Sequence, residues 1–156
     1  MGTSSSIRIS ERGYAELPAI VDLAATGTGV WVNTGLQLTL PVAGTYHLDV
    51  NVRGVLTASD GTNAWIGARL FDVTANAVVP DSEVLVHQIA TSVSPATTVV
   101  TQGTNRHAPI LVPYTVPGSR LVRLQAVKHF SGPNPSVARV QTDVNGRTTM
   151  RFERVA

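Results

Sequence analysis

The chain has 156 residues, of which 43% are apolar and 14% are charged, and this length fits one domain with a substantial core. Twelve Lys and Arg residues against ten Asp and Glu give a formal net charge of +2, and no basic run carries interleaved aromatic residues, so nucleic-acid binding is not expected. Cysteine is absent, which excludes a disulfide frame and a thiol nucleophile. No apolar run approaches the roughly 18 residues of a membrane span, and no secretory signal is recognised, so we expect no membrane contact.

The N-terminal residues 1–12 are predicted to form an arm in front of a folded domain of residues 13–156. Residues 2–6 are small and polar, and we expect them to be ordered only where something holds them. Two alternatives stay open, because the arm could lie against a neighbouring chain or pack on its own domain. The candidate docking residues of the arm are Ile7, Arg8, Ile9 and Arg12.

The stretch from Gly44 to Ser59 gives the longest strand signal in the chain. Its even positions are mostly apolar and its odd positions mostly polar, which is the pattern of a half-buried central strand. Burial is predicted for Leu48, Val50 and Val52. Greater exposure to solvent, or a contact with another subunit, is predicted for Asp49, Asn51 and Arg53.

The next strand, residues 65–73, follows Asp60-Gly61, a dipeptide typical of tight hairpins, and is therefore predicted to pair with the preceding strand. Both of its faces are largely apolar. A strand of this kind needs cover on both sides, which we expect from a second sheet on one side and from another subunit on the other. The candidate interface residues are Trp65, Gly67, Phe71 and Val73.

Later in the chain, prolines alternate with the apolar residues of segment 110–116, which favours an edge strand because proline cannot donate to a ladder. The segment from Gly103 to His107 is predicted to be a loop. Asn145-Gly146 predicts a hairpin between residues 137–142 and the last strand, 147–155. With about nine or ten strands, the sequence predicts an all-β, antiparallel β-sandwich or jelly roll.

Residues suited to catalysis do not occur in a recognisable pattern. His47 and Asp49 share the polar parity of the long strand, but no second His-x-His pair or suitably spaced Glu accompanies them, so no metal site is predicted. There is no Gly-x-Ser-x-Gly elbow, and no two carboxylates stand out as a catalytic pair. We therefore expect a protein that is not an enzyme and that has no cofactor.

The segment from Leu36 to Arg53, LQLTLPVAGTYHLDVNVR, and the closing strand GRTTMRFERVA resemble the jelly-roll module of the tumour necrosis factor and complement globular-head superfamily. The resemblance covers most of the chain from Val30 onward. It implies a compact homotrimer with apolar and aromatic residues along the three-fold axis. Bacterial and bacteriophage proteins that look like this commonly serve as virion appendages or capsid decorations. The chain departs from the pattern in lacking a Gly-X-Y shaft and a Cys pair, and the missing shaft argues against a fibre tip.

The resemblance and the missing catalytic residues predict a structural virion protein made in the host cytoplasm. We expect a trimeric TNF-like jelly roll that decorates or cements a bacteriophage capsid, with the major capsid protein or another virion protein as its partner. The alternative is a tail- or fibre-associated module that binds a receptor or glycan through tip loops. The candidate tip-loop residues are Arg106, His107 and His129.

Overall fold

The computed structural model describes residues 11–93 and 102–156, so the arm residues Ile7, Arg8 and Ile9 lie outside the described chain. The strands in these two ranges are β1 (Arg12–Glu16), β2 (Val21–Asp22), β3 (Trp31–Leu40), β4 (Gly44–Ala58), β5 (Asn63–Asp72), β6 (Ala77–Val78), β7 (Val84–Ala90), β8 (Gln102–Val116), β9 (Arg120–Ser131), β10 (Val137–Val140) and β11 (Thr149–Arg154). No helix long and apolar enough to cross a membrane occurs in the described ranges.

The strands form two antiparallel sheets that pack face to face. Sheet A has the order β1-β11-β4-β8, with the short strands β10 and β2 continuing beside β4, and sheet B has the order β3-β9-β5-β7, with β6 beside the end of β5. The pairs are nested: β1 pairs with β11, β3 with β9, β4 with β8 and β5 with β7. The described chain is thus a long antiparallel hairpin rolled into two layers, and the predicted jelly-roll sandwich is confirmed.

The core lies between the two sheets and is built by alternate residues of each long strand. Leu48 is 2% exposed and Val50 and Val52 are fully buried, which confirms the predicted parity of β4. From sheet B, Ile66, Leu70 and Leu124 meet them and are fully buried too, as members of one apolar cluster. Fully burying a side chain of this size stabilises the fold by about 1.5–3 kcal/mol.

The predicted hairpin between β4 and β5 is wrong. Asp60 and Gly61 do form a turn, with Gly61 at a φ of 75°, but it carries the chain from sheet A to sheet B. The physical reason is that both edges of β4 are already occupied, by β8 along one edge and by β10 and β11 along the other. The strand after the turn therefore has no partner position left in sheet A.

The hairpin predicted at Asn145-Gly146 is wrong in a different way. A tight turn is present, with a bridge between Asp143 and Gly146, yet β10 and β11 do not pair with each other. They run in the same direction along β4, opposite its residues 54–57 and 46–51 respectively. Residues 141–148 therefore loop out from the sheet between two segments of one interrupted strand.

Strand β8 pairs with β4 alone, so the edge position predicted from its prolines is confirmed for the described chain. The loop predicted for Gly103 to His107 is wrong, because these residues begin β8 and pair with residues 53–57. Each of them is exposed, which explains why no alternation marked them as a strand. The buried His87 anchors this segment, since its Nε2 lies 2.7 Å from the Thr104 Oγ1.

Candidate interaction faces

The outer face of sheet A, called face A here, carries two large exposed apolar side chains. Leu111 of β8 is 67% exposed and Tyr14 of β1 is 59% exposed. A groove of about 800 Å³ lies on this face. On the inner side of the same sheet the Phe152 ring packs against Tyr46 in the core and lies directly over Gly13, where any side chain would collide with it. The residues that define face A are Tyr14, His47, Asp49, Leu111, Arg151 and Glu153.

Charged residues on face A are paired across neighbouring strands. Arg12 on β1 contacts the Glu153 carboxylate on β11 at 2.9 Å, and Arg151 pairs with Asp49 on β4. The Tyr14 hydroxyl donates to Glu16 Oε1 at 2.9 Å, and this hydrogen bond raises the pKa of Tyr14. Exposed pairs of this kind contribute little to stability one by one. They do neutralise the field around the exposed apolar residues.

The sequence predicts Arg53 to be exposed to solvent or at a subunit contact, but its side chain is buried within the single chain, where the residue is only 7% exposed. Its guanidinium donates to Asp143 Oδ1 at 2.5 Å, to the Gly146 carbonyl at 3.0 Å and to Asn105 Oδ1 at 3.2 Å. Hydrogen bonds, first from the Gln141 amide and then from Arg53, lower the pKa of Asp143 to about 2. Arg53 therefore ties the loop of residues 141–148 to the sheet, a role that sequence parity alone does not reveal.

On the outer face of sheet B, called face B, the aromatic rings contact other side chains of the same chain. The Arg69 guanidinium lies 3.9 Å from the centre of the Trp31 ring and 6.0 Å from that of Phe71. Trp65 stacks on His129, with 5.1 Å between ring centroids and 15° between planes. Arg69 also donates to Gln125 at 2.9 Å. The residues that define face B are Trp31, Trp65, Gly67, Arg69, Phe71, Val127 and His129.

The sequence-predicted interface residues fall largely on face B. Trp65 and Phe71 point outward and are half-buried, Gly67 is buried between the neighbouring strands, and Val73 follows β5 in a turn. Their cover comes in part from Arg69, so the apolar outer parity of β5 does not by itself require another subunit. The interface there stays a prediction.

The predicted tip loops are wrong, because none of the three residues lies in a loop. Arg106 and His107 lie on β8 in sheet A, while His129 lies on β9 in sheet B and joins face B. The structure does not bring them together. Arg12 also differs from the prediction, since it belongs to β1 rather than to a free arm.

Leu111 and Tyr14 were missed by the sequence analysis. Leu111 lies between Pro109 and Pro113 on the side of β8 that faces outward. A single leucine among prolines on the outward side of a predicted edge strand is the sequence feature that indicates an exposed apolar residue. No group of three or more His, Cys, Asp or Glu side chains placed to hold a metal occurs in residues 11–93 and 102–156.

A buried carboxylate closes one end of the sandwich. Asp72 is fully buried and accepts a hydrogen bond of 2.7 Å from the Tyr114 hydroxyl and one of 2.8 Å from the Ala75 amide. The Arg120 Nε lies 3.6 Å from the Asp72 Oδ2. Burial, followed by the bond to Asp72, raises the pKa of Tyr114 to about 12. These contacts join both sheets, since Tyr114 belongs to β8 and Asp72 to β5.

A buried amine closes the other end. The Lys128 side chain is fully buried, and its Nζ donates to the Ala24 carbonyl at 2.7 Å and to Asn134 Oδ1 at 2.8 Å. It also lies 4.9 Å from the centre of the Phe130 ring. Burial lowers the pKa of Lys128. Its contacts fasten two loops, so we assign it a role in structure.

Comparison with known proteins gives similarity only at the level of the solved structures. No protein-family model matches the chain, and no curated protein matches it. A chain in a structure of infectious bursal disease virus, Gx strain, is 12% identical with a TM-score of 0.47, and the match covers 100% of this chain and 41% of that one. A chain in a structure of the Gt strain is also 12% identical, with a TM-score of 0.39, and the match covers 96% of this chain and 36% of that one. The chain thus spans less than half of either virus chain.

A third similar structure is Eiger TNF from S. frugiperda. It is 13% identical with a TM-score of 0.35, and the match covers 93% of this chain and 85% of that one. The jelly-roll assignment follows from the nested strand pairs described above and does not depend on these matches.

Proposed function

We propose that this chain is a non-enzymatic structural subunit of a virus particle, a homotrimer that decorates or cements a bacteriophage capsid. The fold supports the proposal by analogy, because double-sheet jelly rolls recur in viral capsid proteins. The observation that carries it is the exposed apolar pair on face A, Leu111 and Tyr14, beside a groove of about 800 Å³. Exposed apolar side chains grouped on one face are typical of surfaces that another protein covers.

Face A suits contact between copies of the chain. Its flanking charges of both signs are already paired, so a partner that covers them does not leave an isolated ion in the interface. Leu111 and Tyr14 supply the kind of apolar and aromatic anchors that dominate interface energetics. A permanent trimer would bury roughly 2,000 Å² or more in total at each contact. We therefore place the trimer contact on face A rather than on the predicted residues Trp65, Gly67, Phe71 and Val73.

Attachment to the particle is assigned to the arm that precedes β1. Ile7 and Ile9 would contribute on the order of 1.5–3 kcal/mol each if fully buried against the capsid. Three arms in one trimer would multiply the effect through avidity. Glu11 and Arg12 are excluded from this role, because the Glu11 carbonyl accepts from the Arg154 amide and Arg12 pairs with Glu153 within the sandwich.

The test is binding of purified trimer to particles of the encoding virus that lack the protein, followed by imaging. A variant without residues 2–10 is expected to remain a folded trimer and to lose particle binding. The matched control replaces the same residues by a Gly/Ser segment of equal length, and it should fail equally if Ile7, Arg8 and Ile9 carry the contact. Full binding by the truncated trimer would exclude the arm, and absence of the wild-type protein from particles would exclude the function.

A further inference from the structure

Face B contains a groove that the proposed assembly leaves free. It occupies about 260 Å³ and is lined by Trp65, Gly67, Glu83, Leu85, Val127 and His129. At about 30 Å³ for each water, this space holds about eight or nine waters, or one small ring molecule. Both tryptophans of the chain are half-buried on this face, one on the groove wall and one near its floor.

The floor of the groove exists because residue 67 is glycine. Trp31, Val127, Gly67 and Leu85 form one row across four neighbouring strands. A Cβ at position 67 would lie 3.0 Å from the Val127 Cγ1 and 3.9 Å from the Trp31 Cη2, so any side chain there would fill the gap. The pairing of β5 with β7 shifts its register between Ile66 and Gly67, and Gly67 lies opposite Leu85. Leu85 is 56% exposed and borders the open end of the groove.

Two polar side chains border this apolar floor without a hydrogen-bond or ion-pair partner among residues 11–93 and 102–156. They are the Glu83 carboxylate and the imidazole of His129, whose ring stacks on Trp65 but whose nitrogens stay unbonded within those ranges. The carboxylate offers hydrogen-bond acceptors and a neutral imidazole offers one donor and one acceptor. The recess combines an apolar floor and one aromatic wall with two polar side chains, and small-molecule sites use such polar groups to orient a ligand.

We propose that this groove binds one neutral pyranose ring. A pyranose presents C–H groups on one face, which would pack on Trp65 and Leu85, and hydroxyls at its rim, which would donate to Glu83 and exchange hydrogen bonds with His129. The Glu83 carboxylate disfavours acidic sugars and phosphates through like-charge repulsion. The proposal does not depend on attachment to a virus particle, and it places sugar contact on the sheet face rather than on loops.

The experiment is titration of the full chain with methyl glycosides of neutral hexoses and N-acetylhexosamines, with a uronic acid glycoside as the anionic probe. Binding is followed by saturation-transfer NMR and tryptophan emission. We expect saturable binding of at least one neutral glycoside, with a Kd of about 1 mM, and none of the anionic probe. Glu83→Gln and Trp65→Ala should each weaken it roughly tenfold. Arg123→Gln, on the same face but outside the groove, is the matched control and should bind as the wild type does.

Three results would overturn the proposal. They are no saturable binding of any neutral glycoside, binding that both groove substitutions leave unchanged, and dissociation of an oligomer by those substitutions, which would make the groove a subunit contact. Glu83 is exposed, so Glu83→Gln should fold normally and decides the outcome if Trp65→Ala does not fold. A wild-type trimer that binds no sugar would contradict this inference while leaving the proposed assembly intact.

Discussion

The two outer faces of the sandwich cover their polar and apolar groups by different means. On face A two arginines meet carboxylates on the next strand, Arg151 with Asp49 and Arg12 with Glu153. On face B the central arginine, Arg69, lies over the Trp31 ring and is held by an amide, Gln125. The Trp31 ring is therefore covered by a cation of the same chain, whereas on face A the charges satisfy one another and leave apolar side chains exposed.

This difference separates the two roles proposed here. On face A the charged side chains form ion pairs with one another, and Leu111 remains exposed. In the proposed trimer a second copy of the chain covers it. On face B, stacking leaves Trp65 accessible along one groove, beside Glu83, which has no ion-pair partner in the described ranges. A ligand of one ring fits such a recess better than a broad protein surface does.

The largest single effect on stability should come from Arg53, the one arginine of face A that the described chain buries. Arg53→Met removes hydrogen bonds to Asp143, Asn105 and the Gly146 carbonyl, and we expect a loss of about 3 kcal/mol in the free energy of unfolding. Urea denaturation measures it. A loss under about 0.5 kcal/mol would show that the loop of residues 141–148 does not depend on Arg53.

Asp143, the carboxylate partner of Arg53, predicts that the fold loses stability in acid. The folded-state pKa of Asp143, about 2, is below its ordinary value of 3.8, so its stabilisation is present above that ordinary value and is lost as the pH falls toward 2. Asp143→Asn should flatten the stability profile over this range. Glu83→Gln on face B serves as the control and should leave the loss between pH 4 and 2 in place. An unchanged acid profile in Asp143→Asn would contradict the assignment.

Removing the central cation of face B should have a smaller effect. Arg69→Gln takes away the contact with Trp31, and we expect a loss of about 1 kcal/mol, measured by urea denaturation. Since the Trp31 ring would become more accessible, acrylamide should quench its emission more strongly. The same quenching in wild type and variant would show that Arg69 does not cover the ring in solution.

The smallest effect is expected for the most exposed pair of face A. The side chains of Arg12 and Glu153 are 73% and 47% exposed, so Arg12→Gln should cost about 0.2–1 kcal/mol, and this difference should shrink in 1 M salt. Comparing denaturation at low and high salt tests it. A difference that persists undiminished in high salt would mean that packing of the arginine stem, and not the charge pair, carries the effect.

The sequence predicted those features that depend on local alternation. The parity of Leu48, Val50 and Val52 and the edge position of β8 both follow from side chains two residues apart, and both were confirmed. The connection after β4 could not be predicted in this way. Asp60-Gly61 specifies a turn, but whether the next strand pairs with β4 depends on β8, β10 and β11 occupying its edges from far along the chain.

The candidate sites were predictable to a smaller degree for the same reason. Arg53 reads as an exposed residue by parity, and only the loop carrying Asp143, about 90 residues later, buries it. His129 was named as a candidate, but its stacking on Trp65 requires the pairing of β5 with β9. Leu111 could not be predicted as an exposed anchor because its exposure depends on which face of the edge strand meets the core, and that is set by the pairing of β8 with β4.

The central claim, that copies of this chain assemble through face A, is tested most directly by sedimentation velocity at micromolar concentration. We expect the wild type and Trp65→Ala to sediment as trimers, and Leu111→Glu, which places a charge among the exposed apolar residues, to sediment as a folded monomer. A wild-type monomer would contradict the claim. Dissociation of Trp65→Ala with a trimeric Leu111→Glu would also contradict it and would return the interface to face B.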